Sequence, residues 1–251
     1  MPPTRSAPKR PARSPRRSRP SSPLTHEPRP MSSAPAAGRN LDTTLTNGGM
    51  SMGKVIVDLS VSLDGFIAGA DAGMDSPLGV GGERLFHWFS AGPESNRVNR
   101  WFCPPDASRQ VIEGWYRDIG AMISGRRTFD VARGWRDGHP IDVPIFVVTH
   151  KAPAEGEWSP RVSFVTEGVE RAVELAKEAA GGRDVSVSAA DTAQQLIRAG
   201  LLDEIRLSIA PCLLGSGVRL LDDIGPEPLD LEQISIVPSD GVTHVRYRVV
   251  R

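Results

Sequence analysis

Several short segments of the chain alternate apolar and polar residues, as β-strands do. The segment "KVIVDLSVSLDGFIAG" (54–69) begins with this alternation and breaks at Asp64-Gly65, a turn dipeptide. The segment "VPIFVVTH" (143–150) is a continuous apolar run, which is typical of a central strand buried on both faces. Further strands are predicted in "IGAMISG", "RVSFVTEG", "VSVS", "DEIRLSIA", "LEQISIVPS" and "VTHVRYRVV".

Helical spacing of apolar residues lies between these strands. It predicts a helix over 106–118, capped by Asp106 or Ser108, and another in "VERAVELAKEAAGG" (169–182), which ends at a Gly-Gly pair. Two more helices are predicted after the corners that follow "MISG" and "VSVS". Residues 70–105 are rich in Gly, Pro and Asp yet carry several aromatic residues, which favours a lid or a pocket wall over a plain connector.

Strands that alternate with helices at this spacing predict a single α/β domain over 51–251. Its central sheet is expected to be mainly parallel, and the last two strands to form an antiparallel hairpin. About 200 residues are enough to bury one complete core.

Composition separates the first 50 residues from the rest. They contain nine Lys and Arg against two acidic residues, are crowded with Pro and Ser, and show no apolar periodicity. We therefore expect a disordered basic arm over 1–50, and we favour a working chain that begins at Met50 or Met52. We do not expect the arm to bind nucleic acid, because it has no aromatic residues on which bases could stack.

Targeting and metal signals are not apparent in the sequence. It has no apolar signal core near the N-terminus and no apolar stretch of membrane-spanning length, so we expect a cytoplasmic protein without a membrane partner. The two cysteines, Cys103 and Cys212, are far apart, and the five histidines are scattered, which predicts no metal site.

The segment "SGRRTF" (124–129) is a candidate anion site. A strand ends at Gly125 and a helix begins, so free N–H groups, Arg126 and the Thr128 hydroxyl could meet a phosphate. An equally acceptable interpretation makes Ser124 a helix cap beside two solvated arginines. Thr149 ends a predicted central strand, where ligands of open α/β sheets bind.

Four motifs occur in an order that resembles a known family. They are "VSLDGFIAG", "MISGRRTF", "PIFVVTH" and "AGLLDEIRLSIAPCLLGSGVRLL". The chain resembles the dihydrofolate-reductase-like family over residues 53–251, specifically the reductase domain of the riboflavin-biosynthesis deaminase-reductase and its stand-alone relatives. The resemblance implies a three-layer α/β fold, NADPH as cofactor, a homodimer, and a pterin-like or ribosylamino-pyrimidine substrate.

The resemblance also implies where the cofactor binds. Gly125, Arg126 and Thr128 match the segment that holds the phosphates, and Thr149 matches the strand end near the adenosine ribose. The loop at Asp64 and Gly65 matches the one that approaches nicotinamide and substrate. Leu214 and Gly215 match the strand end on the opposite side of the family's cofactor pocket. The helix corner that completes the cofactor site corresponds to Ser188, Ala189 and Ala190.

This last corner departs from the family, since relatives commonly have a Gly-Gly pair where this chain has Ser188-Ala189. If either position needs a positive φ, a non-glycine residue costs about 1 kcal/mol, and a methyl group could hold a phosphate away. Asp191 and Gln194 also fit a capping box, which would occupy some helix N–H groups. Two hypotheses follow: an NADPH-dependent reductase, and a non-catalytic dimeric relative with weakened or lost nucleotide binding.

Reduction of a C=N or C=O bond also needs a proton donor. Asp64 is the candidate, although Asp-Gly is equally what an ordinary turn contains. Glu83 and His87 are alternatives. Trp88 and Phe89 could stack on a flat heterocycle, or simply pin their loop to the core.

Overall fold

The computed structural model describes residues 53–251, and the structural statements that follow concern this part of the chain. The predicted disordered arm over 1–50 lies outside the described residues. Within residues 53–251, no helix is long and apolar enough to cross a bilayer.

Eight of the strands form one sheet in the order β5-β4-β3-β6-β1-β7-β10-β9. The neighbours from β5 to β7 pair in parallel, while β10 pairs antiparallel with both β7 and β9. This confirms the mainly parallel sheet and the antiparallel C-terminal hairpin predicted from the sequence. The strands are β1 (Val55–Ser62), β2 (Phe66–Gly69), β3 (Ile119–Gly125), β4 (Ile145–Val148), β5 (Val162–Val165), β6 (Asp184–Val187), β7 (Glu204–Ala210), β8 (Gly217–Arg219), β9 (Leu231–Ser239) and β10 (Val242–Val249).

Helices cover both faces of this sheet and make the three layers. On one face, apolar side chains of α3 and α4 pack on alternate residues of the central strands, such as Val55 and Val57 of β1. The other face carries α1 and the aromatic residues of the loop before it, with Trp88, Phe102 and Ile112 in one buried cluster. The helices are α1 (Asp106–Arg117), α2 (Arg126–Val131), α3 (Val169–Ala180) and α4 (Ala190–Arg198).

Three local features differ from the sequence-based predictions. The segment after Asp64-Gly65 forms β2, which pairs with β8 in a separate two-stranded sheet. The irregular stretch over 70–105 contains two 3₁₀ segments, Gly82–Ser90 and Glu94–Asn96. Neither predicted side chain caps α1, because its N-cap residue is Pro105 and no side chain bonds there.

Candidate functional site

A cleft of about 660 Å³, here called the outer cleft, opens where β3, β4 and β6 end. The parallel strands bring their carboxyl ends to one edge of the sheet, the edge at which open α/β folds bind ligands. Most residues predicted to bind the cofactor lie together in its walls: Gly125, Arg126, Thr128, Thr149, Ser188, Ala189 and Ala190.

The corner without glycine has ordinary extended backbone. Ala189 has φ −144° and ψ 137°, and Ser188 is not among the residues with positive φ. The conformational cost considered for a non-glycine corner therefore does not arise. The Ser188 hydroxyl donates to Ser124 Oγ at 3.2 Å, which ties the ends of β6 and β3 together.

The first turn of α4 carries no side-chain cap. Ala189 occupies the N-cap position and has no acceptor to offer, so the predicted capping box is wrong. Asp191 accepts instead from Gln195 Nε2 at 2.6 Å, and Gln194 donates to the carbonyl oxygens of Arg219 and Leu220. The free N–H groups of this turn, with the positive end of the helix dipole, suit an anion in the cleft.

Gly125 lies where a side chain would be crowded by the start of α4. A Cβ built on Gly125 would lie 3.2 Å from Thr192 Oγ1 and 3.3 Å from Ala189 Cβ. Any larger residue would therefore narrow the gap between the starts of α2 and α4. The uncapped first turn of α4 and the glycine beside it border the outer cleft, so the residues present fit a nucleotide phosphate in the cleft.

Cationic side chains border the same cleft. Arg126 Nε contacts both carboxylate oxygens of Asp130, at 2.8 and 3.0 Å, and its Nη1 donates to the Lys151 carbonyl. Arg127 donates to the Ala72 carbonyl. The Thr149 hydroxyl donates to the Lys151 carbonyl at 3.0 Å, which fixes the turn after β4. These bonds hold the positive groups at the cleft wall.

A second, smaller cavity of about 190 Å³, here called the inner cavity, lies deeper against the sheet. Aromatic side chains form much of its wall, and they meet edge to face: Trp88 contacts Phe89, and Phe89 contacts Phe102. The two cavities share four wall residues: Leu59, Ser60, Phe86 and Ser188.

Asp58 of β1 lies in the wall of the inner cavity. Its Oδ2 is buried and has no hydrogen-bond partner among the described residues. Burial raises the pKa of this carboxyl to about 6, against the opposing effect of the Arg206 guanidinium. Sequence analysis missed Asp58, because an acidic residue at an alternating position of a strand normally faces solvent. Here α1 covers that face of the sheet as well.

Asp64 has a different environment from the one expected of a proton donor. Its Oδ1 accepts from Ser62 Oγ at 2.6 Å and from the Leu214 N–H at 3.1 Å, and its Oδ2 accepts from the Gly215 N–H at 2.7 Å. The Ser62 hydroxyl, followed by the backbone N–H groups, lowers the pKa of Asp64 to about 2. The carboxylate therefore stays ionised near neutral pH and clamps the β1–β2 turn to the loop after β7.

The other residues predicted around the substrate divide into two groups. Trp88 and Phe89 line the inner cavity, while Glu83 and His87 are exposed and lie outside both cavities. The cluster of Asp64, Gly65, Leu214 and Gly215 also lies outside both walls. Trp88 Nε1 donates to Ser60 Oγ at 3.3 Å, and this bond anchors the aromatic wall to β1.

The sheet order, the covered faces and the cleft at the strand ends define a three-layer α/β protein with a mainly parallel central sheet. The chain belongs to the RibD C-terminal domain family, whose model matches residues 53–245. This confirms the reductase-like family and the dihydrofolate-reductase-like fold that the motifs predicted.

Individual relatives are distant. The uncharacterized protein YyaP of Bacillus subtilis is 23% identical over 207 residues, which cover 77% of this chain and 94% of that protein. A crystal structure from Shewanella sp. PV-4, of a protein assigned provisionally to riboflavin biosynthesis, is 22% identical with a TM-score of 0.59. That match covers 79% of this chain and 99% of the other.

The bifunctional diaminohydroxyphosphoribosylaminopyrimidine deaminase/5-amino-6-(5-phosphoribosylamino)uracil reductase of Thermotoga maritima shows the same fold in part. It is 14% identical with a TM-score of 0.51, and the match covers 79% of this chain and 57% of that one. At these identities the solved structures establish the fold alone.

Proposed function

We propose that this protein is an NADPH-dependent reductase of a flat nitrogen heterocycle, of the pterin or ribosylamino-pyrimidine class. One observation carries the proposal: a cleft large enough for a nucleotide adjoins a cavity sized for a ring system, and the two share wall residues at the strand ends. Membership of a family of riboflavin-biosynthesis reductase domains supports it.

The outer cleft supplies what a dinucleotide needs. The uncapped start of α4, which borders the cleft beside Gly125, would hold the pyrophosphate. Arg126 would stand near the 2′-phosphate that distinguishes NADPH from NADH. When bound, the cofactor supplies a hydride, and the chain's own residues orient the substrate and provide the proton.

The non-catalytic alternative was motivated by the missing glycines of the corner. Because Ala189 is extended and α4 is uncapped, the conformational cost and the capping box no longer support that alternative, and the Ala189 methyl group is the motive that is left. Loss of nucleotide binding remains an outcome of the test.

The test is calorimetric titration of the full chain with NADPH and with NADH. We expect NADPH to bind at least tenfold more tightly. Arg126→Ala should weaken NADPH more than NADH, since only NADPH carries the 2′-phosphate. Arg171→Ala is the matched control, because this exposed arginine of α3 pairs with Glu174 and lies outside both cavities. If neither nucleotide binds at millimolar concentration, the reductase proposal is wrong.

A further inference from the structure

A chain of hydrogen bonds starts at the wall of the inner cavity and runs into the C-terminal hairpin. Ser208 of β7 lines the cavity, and its Oγ lies 2.9 Å from Nδ1 of His244 on β10. The other ring nitrogen, Nε2, lies 2.8 Å from Oγ of Ser108 on α1. Ser108 Oγ in turn lies 2.9 Å from Oγ of Ser239, the last residue of β9. Side chains from four elements therefore form one continuous path.

The two ends of this path have different surroundings. Ser208, His244 and Ser108 are buried. Ser239 is half-buried and precedes the exposed turn at Asp240-Gly241. The path therefore leads from the inner cavity, through the core, to the solvent side of the hairpin.

The His244 ring has the charge state that proton transfer along this path requires. Burial lowers its pKa to about 4, so the ring is neutral near neutral pH. A neutral imidazole carries one N–H donor and one bare nitrogen that accepts. Trp88 and Trp115 flank the ring edge to face, with centroids 5.0 and 5.8 Å away. The ring can therefore take a proton on one side as it gives one up on the other.

The partners of His244 leave both of its tautomers accessible. A buried histidine is often held in one tautomer by a carboxylate or a backbone carbonyl, which can only accept. Here both ring nitrogens meet serine hydroxyls, and a hydroxyl can donate or accept. All hydrogen bonds of the path can therefore point towards the cavity or towards the surface.

We propose that this path, from Ser208 to Ser239, is a proton relay between the inner cavity and the protein surface. Ser208 is the cavity end and would donate to a ligand with a proton-accepting atom, such as a bare ring nitrogen or a carbonyl oxygen. The proposal rests on the proposed function only for the use that is made of the proton. The relay depends on these side chains alone and needs no nucleotide.

One transfer leaves each serine with its hydroxyl proton restored. The O–H bond of Ser208 breaks as the ligand atom takes the proton, and the Nδ1 proton of His244 passes to the Ser208 oxygen. Nε2 takes the proton of Ser108, which takes that of Ser239, and a surface water re-protonates Ser239. Each bonding electron pair stays on the atom that the proton leaves. The net change is one proton gained by the ligand, one hydroxide left in solvent and a changed imidazole tautomer.

Exchange of the His244 ring proton with water tests the path. In the full chain labelled with ¹⁵N-histidine, NMR should show this proton exchanging faster than the His244 backbone amide, which the sheet holds between β7 and β9. Threonine and valine have the same shape, but only threonine keeps the hydroxyl, so they are matched substitutions on a strand. Ser208→Thr combined with Ser239→Thr should therefore exchange as the wild type does.

The corresponding pair of valine substitutions, Ser208→Val with Ser239→Val, closes both ends of the path. Its ring proton should exchange about tenfold more slowly or less, because only local opening of the sheet then remains. Each single valine variant leaves one end open and should stay fast. Equal rates in the valine and threonine pairs would overturn the relay. A single valine variant as slow as the pair, or a wild-type ring proton as slow as its backbone amide, would also overturn it.

A second readout uses the wild type alone. Pyrimidine has bare ring nitrogens and benzene has the same shape without them, and the inner cavity of about 190 Å³ suits a single ring. A pyrimidine nitrogen that accepts from Ser208 requires this serine to accept from Nδ1–H of His244. The ring ¹⁵N shifts should therefore move towards the Nδ1–H tautomer with millimolar pyrimidine and not with benzene. Identical shifts with both probes would overturn the cavity end of the relay.

NADPH titration of the same samples separates the two proposals. Absence of nucleotide binding would overturn the proposed function and leave the exchange results unaffected. A slow ring proton in the wild type would overturn the relay and leave nucleotide binding in the outer cleft unaffected.

Discussion

Asp58 and Arg206 are register partners on the adjacent parallel strands β1 and β7, yet each has buried polar atoms without a hydrogen-bond partner among the described residues. Arg206 makes only long contacts, at 3.3 Å to Asp184 and 3.6 Å to Glu204, and its guanidinium lies 5.6 Å from the Trp115 ring centroid. Unsatisfied buried groups cost stability and concentrate at functional sites.

Replacing Asp58 should therefore stabilise the free protein in a pH-dependent way. The pKa of Asp58 is raised from 3.8 to about 6, so the folded state resists ionisation of this carboxyl. The free energy of unfolding of the wild type therefore falls as pH rises through this window, and it stays lower above it. We expect Asp58→Asn to match the wild type near pH 4 and to exceed it by roughly 1–3 kcal/mol at pH 8. Urea unfolding at both pH values measures the difference, and a pH-independent gap would contradict the prediction.

His244 should destabilise the protein in acid. Its ring is buried between Ser108, at 2.8 Å from Nε2, and Ser208, at 2.9 Å from Nδ1, and burial lowers its pKa from 6.5 to about 4. The contribution of neutral His244 to the free energy of unfolding is complete above pH 6.5 and is lost as pH falls towards 4. Non-titrating His244→Gln should be less stable than wild type at pH 7, because it cannot serve both serines. The difference in free energy of unfolding between wild type and variant should be smaller at pH 4. An unchanged difference would show that His244 does not titrate in this window.

Asp64 should matter for stability rather than for proton transfer. Asp64→Ala removes the acceptor for Ser62 and for the Leu214 and Gly215 N–H groups, so the melting temperature should fall at every pH between 4 and 8. Asp222→Ala serves as the exposed control. If Asp64→Ala kept its melting temperature and lost turnover, that result would support the catalytic role that the sequence predicts for Asp64.

Glycine at the corner should not improve nucleotide binding. Ala189 is already extended, so Ala189→Gly relieves no strain and only frees the unfolded chain, at a cost of about 0.5–1 kcal/mol. We expect unchanged NADPH affinity and a lower urea midpoint. Tenfold tighter NADPH binding would instead mean that the Ala189 methyl group obstructs the phosphate.

A homodimer remains the expected assembly. Strand β9 is the edge of the large sheet, and it exposes Ile234 and Ile236, the latter by 48%. A second copy could cover both. Light scattering at micromolar concentration should give twice the monomer mass for the wild type and the monomer mass for Ile236→Lys. Val80→Lys, at an exposed valine in the loop after β2, should remain dimeric.

Much of the fold was determined by the sequence itself. The alternation in "LEQISIVPS" and the helical spacing that stops at Gly181 both correspond to observed elements, because local burial patterns and glycine conformations act over a few residues. The order of the motifs indicated the family, and through that resemblance Gly125 and Thr149 were assigned to the cofactor site; both line the outer cleft.

Only the tertiary structure decided the environments of the two acidic residues in β1 and its turn. Asp64 precedes a glycine in a family motif, but the Ser62 hydroxyl and backbone N–H groups from a loop 150 residues away lower its pKa and keep it ionised. Asp58 occupies an ordinary alternating position of β1, and it becomes an acidic residue of the inner cavity wall because α1 and an aromatic loop cover that face of the sheet. The pKa and bonding of a carboxyl depend on groups brought together across the chain, which no local sequence pattern records.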